Sequence, residues 1–216
     1  MESIDRLTKY QFDILKEIGN IGAGHSATAL SRLLDKKISM NVPSVKPVSF
    51  NELVDLYGGP EEVVACVYLK IDGEFQGSMF FIMSVAQAEK FIKILTLNEE
   101  FSLDSNELTG IGYSVIQELG NILTGSYLSA MADITGLIIY PSVPDVTIDM
   151  FGAVMVQGLV ALSYAGDHAI LIDTKIKEET EHGENVVEGH FFLLPDPETI
   201  GRFFQSLGAD DENRGF

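Results

Sequence analysis

The sequence predicts a mixed α/β fold of the α+β kind, forming a single domain over residues 1–208 from two similar halves. The first observation is an internal repeat: Glu17–Val45 and Glu118–Val146, which lie 101 positions apart, match at ten of 29 positions without a gap. Chance would give about one or two matches, so the halves, about 1–100 and 104–208, derive from a duplication. The second observation is that the same helix and strand patterns follow each copy in the same order.

The first half begins with a long amphipathic helix, predicted over Ile4–Leu34. Five apolar side chains at helical spacing form a stripe that we expect to dock on a core: Leu7, Tyr10, Ile14, Ile18 and Ile21. The alternating segment Ile38–Pro43 predicts a strand that ends at the proline. Ser49 and Glu52 form a capping-box pattern, which predicts a short helix ending at Gly58–Gly59. The remaining predicted elements are two strands of a hairpin and an amphipathic helix: Val63–Ile71, Gly77–Met83 and Val85–Leu97.

The second half repeats this order. Asp104, with Glu107 three residues later, marks the start of the second long helix, which ends at Gly136. The apolar stripe is repeated by Val115, Leu119 and Ile122. The later elements are a strand, a short helix capped by Asp149, a hairpin with an acidic turn, and a closing helix. The predicted bounds are Leu137–Tyr140 for the strand and from about Met150 for the short helix. They are His168–Lys177 and Val186–Leu194 for the hairpin strands, with the turn at Glu178–Glu184, and Pro197–Leu207 for the closing helix. The last residues, Ala209–Phe216, predict a frayed polar tail.

The strand count of one half decides how the halves assemble. Three strands would form a poor core by themselves. We therefore expect the halves to join in one six-stranded sheet with helices packed on it. The duplication predicts a pseudo-twofold arrangement in which the two long helices occupy equivalent places.

Composition narrows the class of protein. With 216 residues, 46% of them apolar, the chain can form a substantial core, and no apolar run approaches the roughly 20 residues that span a membrane. The net charge of −18 argues against nucleic acid and anionic membranes as partners. The acidic start, Met1–Asp5, is unlike a secretory signal, and the single cysteine, Cys66, is expected to be buried and inert. These features predict a cytoplasmic location.

The candidate functional residues lie on the two long helices. Each helix carries an aspartate or serine, a glutamate and an asparagine at spacing i, i+4 and i+7, which projects all three from one helix face. These residues are Asp13, Glu17 and Asn20 in the first copy and Ser114, Glu118 and Asn121 in the second. A glycine follows one turn later on the same face, although glycine inside a helix costs about 1 kcal/mol relative to alanine. These glycines, Gly24 and Gly125, lead us to expect a bare face that a large partner can approach.

Other reaction chemistries fit the sequence poorly. A paired-carboxylate glycosidase is disfavoured because Ser114 stands where the first copy has Asp13. The four histidines show no zinc-ligand spacing: His25, His168, His182 and His190. The glycine-rich run Gly19–Gly24 follows a helical segment and lacks the spacing of a nucleotide-binding loop, and there is no Gly-x-Ser-x-Gly elbow. We therefore expect neither a nucleophile nor a metal site of the chain's own.

A glutamate beside an asparagine can still assist a hydrolysis. An asparagine amide both donates and accepts hydrogen bonds, so it can hold a water in line with a phosphorus atom, as a glutamine does in GTPases. Such a site needs a partner that supplies the metal and the phosphoryl group, while the glutamate serves for docking. The same polar helix face is also compatible with ordinary solvated surface.

At these residues the sequence resembles the CheC family, the phosphatases of the chemotaxis response regulator CheY. The family pattern is Asp or Ser, three residues, Glu, two residues, Asn, 22 residues and Pro. It is met twice, by Asp13, Glu17, Asn20 and Pro43 and by Ser114, Glu118, Asn121 and Pro144. Two motifs in a chain of this length are similar to the two-site members of the family. The relative CheX has one motif, and the relative FliY has a further C-terminal domain, for which there is no room after Leu207.

The resemblance implies a role for each motif residue. The asparagines, Asn20 and Asn121, would orient the water that attacks the aspartyl phosphate of CheY. The glutamates, Glu17 and Glu118, would pair with an active-site lysine of the regulator, and Asp13 and Ser114 would assist. The regulator would supply magnesium, so this chain would need no cofactor of its own. The resemblance also implies a second partner, the receptor deamidase CheD, and leaves open a non-catalytic adaptor that sequesters CheY or CheD.

Overall fold

The computed structural model describes residues 4–103, 110–162, 168–180 and 183–209, which form six α-helices and eight β-strands. The helices are α1 (Lys9–Leu34), α2 (Phe50–Leu56), α3 (Val85–Thr96), α4 (Ile111–Thr135), α5 (Phe151–Leu162) and α6 (Pro197–Ser206). The strands are β1 (Ile38–Asn41), β2 (Val45–Ser49), β3 (Val63–Gly73), β4 (Gly77–Ser84), β5 (Ile139–Pro141), β6 (Asp145–Met150), β7 (His168–Thr180) and β8 (Gly183–Pro195). A short 3-10 turn, Ile4–Arg6, precedes α1.

All eight strands belong to one antiparallel sheet, which is six strands wide in the order β1-β7-β8-β4-β3-β5. β2 continues the β1 edge along β7, and β6 continues the β5 edge along β3. The expected joining of the halves in one α+β sheet is confirmed, but eight strands stand where six were predicted. The two additional strands follow the motif prolines, because each proline interrupts the ladder only briefly. Pairing then resumes with Val45 opposite Ile172 and with Asp145 opposite Tyr68.

The two halves of the chain exchange their edge strands. β1 and β2 come from the first half, yet they pair with β7 of the second half. β5 and β6 come from the second half and pair with β3 of the first. The centre of the sheet joins β4 to β8, where Phe80 lies opposite Phe192. Each half therefore completes the hairpin of the other.

The sheet is covered on both faces, because its strands alternate apolar side chains between two cores. The larger core lies against α1, α3, α4 and α6 and includes Ile18, Leu119 and Phe203. The smaller core lies against α2 and α5 and includes Leu53 and Phe151. The single cysteine lies in this smaller core, as predicted, and burial raises the pKa of the Cys66 thiol.

The two long helices pack on the sheet, as predicted, and also on each other. Glycines permit both contacts because a methyl group would not fit. At Gly22 of α1 a methyl carbon would lie 3.0 Å from Tyr127 Cα of α4. At Gly120 of α4 it would lie 2.5 Å from Val67 Cγ1 of β3. The orientation of each helix about its own axis, and so the direction of its polar face, is fixed by these contacts.

The predicted apolar stripe of α1 is partly wrong. Tyr10 and Ile21 are exposed. The buried side of α1 is instead centred on Leu15, Ile18 and Gly22. The reason is that α1 packs on the sheet and also on α4, so the face it buries is rotated toward the small residues that allow close helix contact.

Helix starts differ from the predicted positions. α1 begins at Lys9 and not at Ile4, because Thr8 and Gln11 form a capping box there. The short helix α2 begins after Ser49, with the predicted capping box between Ser49 and Glu52. The predicted start of the second long helix, at Asp104 and Glu107, lies outside the described residues.

The predicted acidic turn between the second pair of hairpin strands is wrong. β7 runs to Thr180 and β8 begins at Gly183. Glu178 is buried in this part of the hairpin, where its carboxylate lies 2.6 Å from Lys36 Nζ and accepts a hydrogen bond from Asn185. These partners hold the pKa of Glu178 below its usual value against the opposing effect of desolvation.

The predicted polar tail is wrong at its first residue. Ala209 is buried, and its carbonyl accepts a hydrogen bond from Gln11 Nε2 at 3.1 Å. Residues 210–216 of the predicted tail lie outside the described ranges.

Candidate active site on two helices

The first motif lies on the solvent side of α1. Asp13 and Glu17 are exposed, and Asn20 is half-buried. On its other side, α1 packs on the larger core through Leu15 and Ile18, which are buried there. Neither carboxylate forms an ion pair with another residue of the described ranges, so both stay available to a partner.

The amide of Asn20 is already bonded to its own protein. Its Nδ2 donates to Lys16 O at 3.0 Å and to Val42 O at 3.4 Å, while its Oδ1 accepts from Val42 N at 3.0 Å. Val42 is 2% exposed and packs 3.4 Å from the position of a methyl group on Gly19. The Asn20 side chain thus connects α1 to Val42, the residue that follows β1. It pairs with the main-chain N–H and C=O of Val42, as the backbone of a neighbouring strand would.

The second motif lies on the solvent side of α4 and is more open. Ser114, Glu118 and Asn121 are all exposed. Ser114 Oγ donates to Gly110 O at 3.3 Å, one turn earlier in the chain. In contrast to Asn20, the amide of Asn121 has no hydrogen-bond partner among the described residues. The two long helices have equivalent places in the repeat, but the structure presents their amides unequally.

The inequality arises in the segment that follows each short edge strand. Val143 occupies the place in the repeat that Val42 has in the first half, but Val143 is 83% exposed. Just before it, Ser142 N donates to Lys70 O and Ser142 Oγ accepts from Lys70 N, both at 2.9 Å. These bonds hold Ser142 against β3, and the valine that follows points to solvent instead of covering α4.

The motif prolines and glycines have different surroundings. Each proline lies between two edge strands, and Pro43 is exposed whereas Pro144 is buried. A methyl group added at Gly24 or at Gly125 would meet no atom within 4 Å. The helix face beyond each asparagine is therefore open space, as the bare-face prediction requires.

Sequence reasoning missed the bonds on the other side of the β1–β2 connection. Ser44 Oγ donates to Asp173 Oδ2, and Asp173 N donates to Ser44 O at 3.0 Å. Asp173 Oδ1 lies 3.6 Å from His190 Nε2, and His190 Nδ1 lies 2.8 Å from Tyr57 Oη. Burial lowers the pKa of His190, although the Asp173 and Glu188 carboxylates oppose this shift. In the sequence, the only signal was that Asp145 replaces Ser44 in the second copy and cannot donate in the same way.

In the part of the chain that the structure describes, no three His, Cys, Asp or Glu side chains are grouped as metal ligands. His182, one of the four histidines, lies outside that part. None of the described helices combines the length and hydropathy needed to cross a membrane.

Comparison with known proteins gives a family for both motif-bearing segments. The model of the CheC-like family matches residues 11–46 and 111–148, which contain the two motifs. The chain is 48% identical over 209 residues to the CheY-P phosphatase CheC of Bacillus subtilis strain 168, covering 97% of this chain and 99% of that protein. It is 31% identical over 131 residues to the flagellar motor switch phosphatase FliY of the same organism, covering 61% of this chain and 34% of that protein.

The fold is also found among solved structures. The crystal structure of FliY from Thermotoga maritima matches with a TM-score of 0.76 over 94% of this chain and 98% of that one. At 19% sequence identity this likeness shows a shared fold and no more. The identity to the Bacillus protein, in contrast, extends over nearly the full length of both chains and includes both helices. On that ground, the chain belongs to the CheC-like family.

Proposed function

We propose that this chain is a phosphatase that accelerates hydrolysis of the aspartyl phosphate of the response regulator CheY. Two findings support the proposal. A relative that is 48% identical over nearly its whole length is a CheY-P phosphatase. The chain also presents a glutamate and an unbonded asparagine, Glu118 and Asn121, on one open helix face. The exposed, unpartnered amide of Asn121 is the observation that carries the proposal.

The proposed chemistry needs little from this chain. The regulator contributes the acyl phosphate and its magnesium ion, so no metal site is required here. The Asn121 amide accepts a hydrogen bond from a water and donates one to the phosphoryl group, which places the water in line with the phosphorus. The water oxygen forms a bond to phosphorus as the bond to the aspartyl oxygen breaks, and the water's protons leave to the phosphate and solvent. Positioning is the main contribution in phosphoryl transfer of this kind.

Glu118 has a docking role in this proposal. Its carboxylate is exposed and lies about one helical turn from Asn121, so it can pair with a lysine of the regulator while the amide reaches the phosphate. Ser114 lies a further turn along the same face and assists at the edge of the contact. Asp13 and Glu17 have the corresponding places on α1.

The two motifs are expected to differ in activity. Asn20 has to leave its three hydrogen bonds before its amide can enter a partner's active site. Neutral hydrogen bonds contribute about 1 kcal/mol each, so breaking the two shorter bonds, to Lys16 O and from Val42 N, costs roughly 2 kcal/mol, or about a thirtyfold decrease in the free population of the amide. Asn121 needs no such release. We therefore assign most of the turnover of the free chain to the α4 motif.

Single and double substitutions test this assignment. Phosphorylated CheY with magnesium is mixed with each variant, and phosphate release is followed. Asn121→Ala is expected to lower the catalysed rate more than tenfold, Asn20→Ala only slightly, and the double variant to the rate of CheY alone. A parent chain that leaves the rate unchanged would refute the phosphatase. Equal losses for the two single variants would refute the inequality.

A non-catalytic adaptor is the second candidate, and the bonded state of Asn20 favours it for the α1 face. An adaptor would hold CheY, or the receptor deamidase CheD, on a helix face without hydrolysing anything. Binding that survives the double Asn20→Ala, Asn121→Ala substitution, together with no turnover by the parent chain, would support the adaptor over the phosphatase.

A further inference from the structure

Two large apolar side chains lie beside the motifs without a structural reason in their own fold. Tyr10 on α1 is 58% exposed, and Ile111 on α4 is 60% exposed. They are 101 positions apart and so occupy the same place in the two copies. Neither makes a side-chain hydrogen bond or ring contact with the rest of the described chain. Tyr10 belonged to the predicted core stripe, and its exposure removes the packing role that the sequence suggested for it.

Their place on the helices puts them next to the motif residues. Tyr10 precedes Glu17 by seven residues, and Ile111 precedes Glu118 by seven. Seven residues are about two helical turns, so each apolar side chain lies on nearly the same side of its helix as the glutamate and about 10 Å away. The first residue of each triad, Asp13 or Ser114, lies between them.

Exposure alone does not make a contact residue, and the same helices supply the contrast. Leu33 and Ile134 are also 101 positions apart, and they are 50% and 40% exposed. They follow Glu17 and Glu118 by sixteen residues, which is about 24 Å along the helix and about 160° around it. Scattered apolar residues of this kind are ordinary on protein surfaces. Unlike Leu33 and Ile134, Tyr10 and Ile111 share the face of the motif.

We propose that Tyr10 and Ile111 are the apolar docking contacts for the receiver domain that presents its phosphate to each motif; this rests on the proposed function. A standard protein–protein interface buries about 800 Å² on each partner, a patch roughly 30 Å across. A receiver centred on the glutamate and asparagine therefore covers a side chain about 10 Å away. Buried aromatic and aliphatic anchors carry much of the binding energy in such patches, whereas exposed charge pairs contribute less.

The α4 contact is tested by separating KM from kcat. Phosphate release is measured over a range of phosphorylated CheY concentrations for Ile111→Ser and, as matched control, Ile134→Ser. Ile111→Ser is expected to raise KM about tenfold and to leave kcat unchanged, because the contact holds the regulator but does not touch the phosphate. Ile134→Ser is expected to match the parent chain. Ile111→Gln provides a second variant, and the thermal unfolding midpoint checks that each variant is folded.

The α1 contact is tested by binding, because that motif contributes little turnover. The affinity of CheY carrying a stable phosphate mimic is measured for chains whose α4 contacts are removed by Ile111→Ser, Glu118→Ala and Asn121→Ala, with and without Tyr10→Ser, and with Leu33→Ser as control. Tyr10→Ser should weaken the remaining binding and Leu33→Ser should not. The docking contacts are refuted if folded Ile111 variants keep the KM of the parent chain, or if Tyr10→Ser does not lower the affinity of the chain into which it is introduced. In either case, turnover by the parent chain still supports the phosphatase. A parent chain without turnover refutes the phosphatase itself.

Discussion

At the residue scale, one amide has two different surroundings in the two halves. Asn20 satisfies the main-chain N–H and C=O of the buried residue Val42, and removing its side chain leaves both without that partner. Asn121 satisfies no group in the described part of the chain. We expect Asn20→Ala to lower the free energy of unfolding by about 1–3 kcal/mol, the usual cost of unpaired buried polar groups, and Asn121→Ala to change it by less than about 0.5 kcal/mol.

Urea unfolding of the two single variants measures this difference. The comparison is well controlled because both changes are from asparagine to alanine in the middle of a long helix. Equal unfolding free energies for the two variants would mean that the bonds to Val42 contribute nothing to stability. The result also helps to interpret turnover, since a loss of activity in Asn20→Ala that follows a loss of folded protein is not a catalytic effect.

At the element scale, two glycines of α4, Gly120 and Gly125, have different surroundings. A methyl group at Gly120 would clash with Val67 of β3, whereas one at Gly125 would meet only open space. We expect Gly120→Ala to destabilise the protein by about 1–3 kcal/mol, as overpacking does. Gly125→Ala should stabilise it by up to about 1 kcal/mol, because alanine favours the helix. Thermal unfolding of both variants checks the opposite signs.

Gly125→Ala also tests the bare-face interpretation of the motif. If the face beyond Asn121 has to admit the regulator closely, the stabilised variant should hydrolyse phosphorylated CheY more slowly than the parent. Unchanged turnover in a stabilised variant would show that Gly125 is not needed for approach. Gly24→Ala is the matched change on α1, where little turnover is expected to be lost.

The elements that the sequence predicted correctly are those whose conformation depends on neighbouring residues in the chain. Both hairpins, the capping box at Ser49 and the helix ending at Gly136 have strong local signals, and the structure contains them. β2 and β6 were not predicted, because strand pairing with a distant partner decides their conformation and no local pattern records it. The same limit applies to Asn20: its spacing placed it correctly on the helix face, but its bond to Val42 depends on how β1 ends 22 residues later.

On the scale of the whole molecule, two halves of similar sequence present two unequal faces. The repeat reproduces the helices, the hairpins and the six-strand width of the sheet. The conformation of the segment after β1 or β5 is set by its contacts with the other half, and these differ. Ser44 bonds to Asp173 of β7, whereas Ser142 bonds to Lys70 of β3. The difference between Asn20 and Asn121 thus originates in the neighbouring half, and a comparison of the two motif sequences alone does not reveal it.

The exchange of edge strands makes a prediction about folding. A chain ending near residue 100 retains β1 and β2 but loses β7, their pairing partner, and it exposes the β4 edge that normally pairs with β8. Only the β3–β4 hairpin then remains paired among its four strands, and such a sheet lacks the buried area to offset its conformational entropy. We expect residues 1–100 alone to show no cooperative unfolding transition, and the full chain to unfold in one transition when followed by far-UV circular dichroism and by tyrosine fluorescence. Two separated transitions in the full chain would show instead that the halves are independent units, because interlocked halves have to lose their shared strand pairs together.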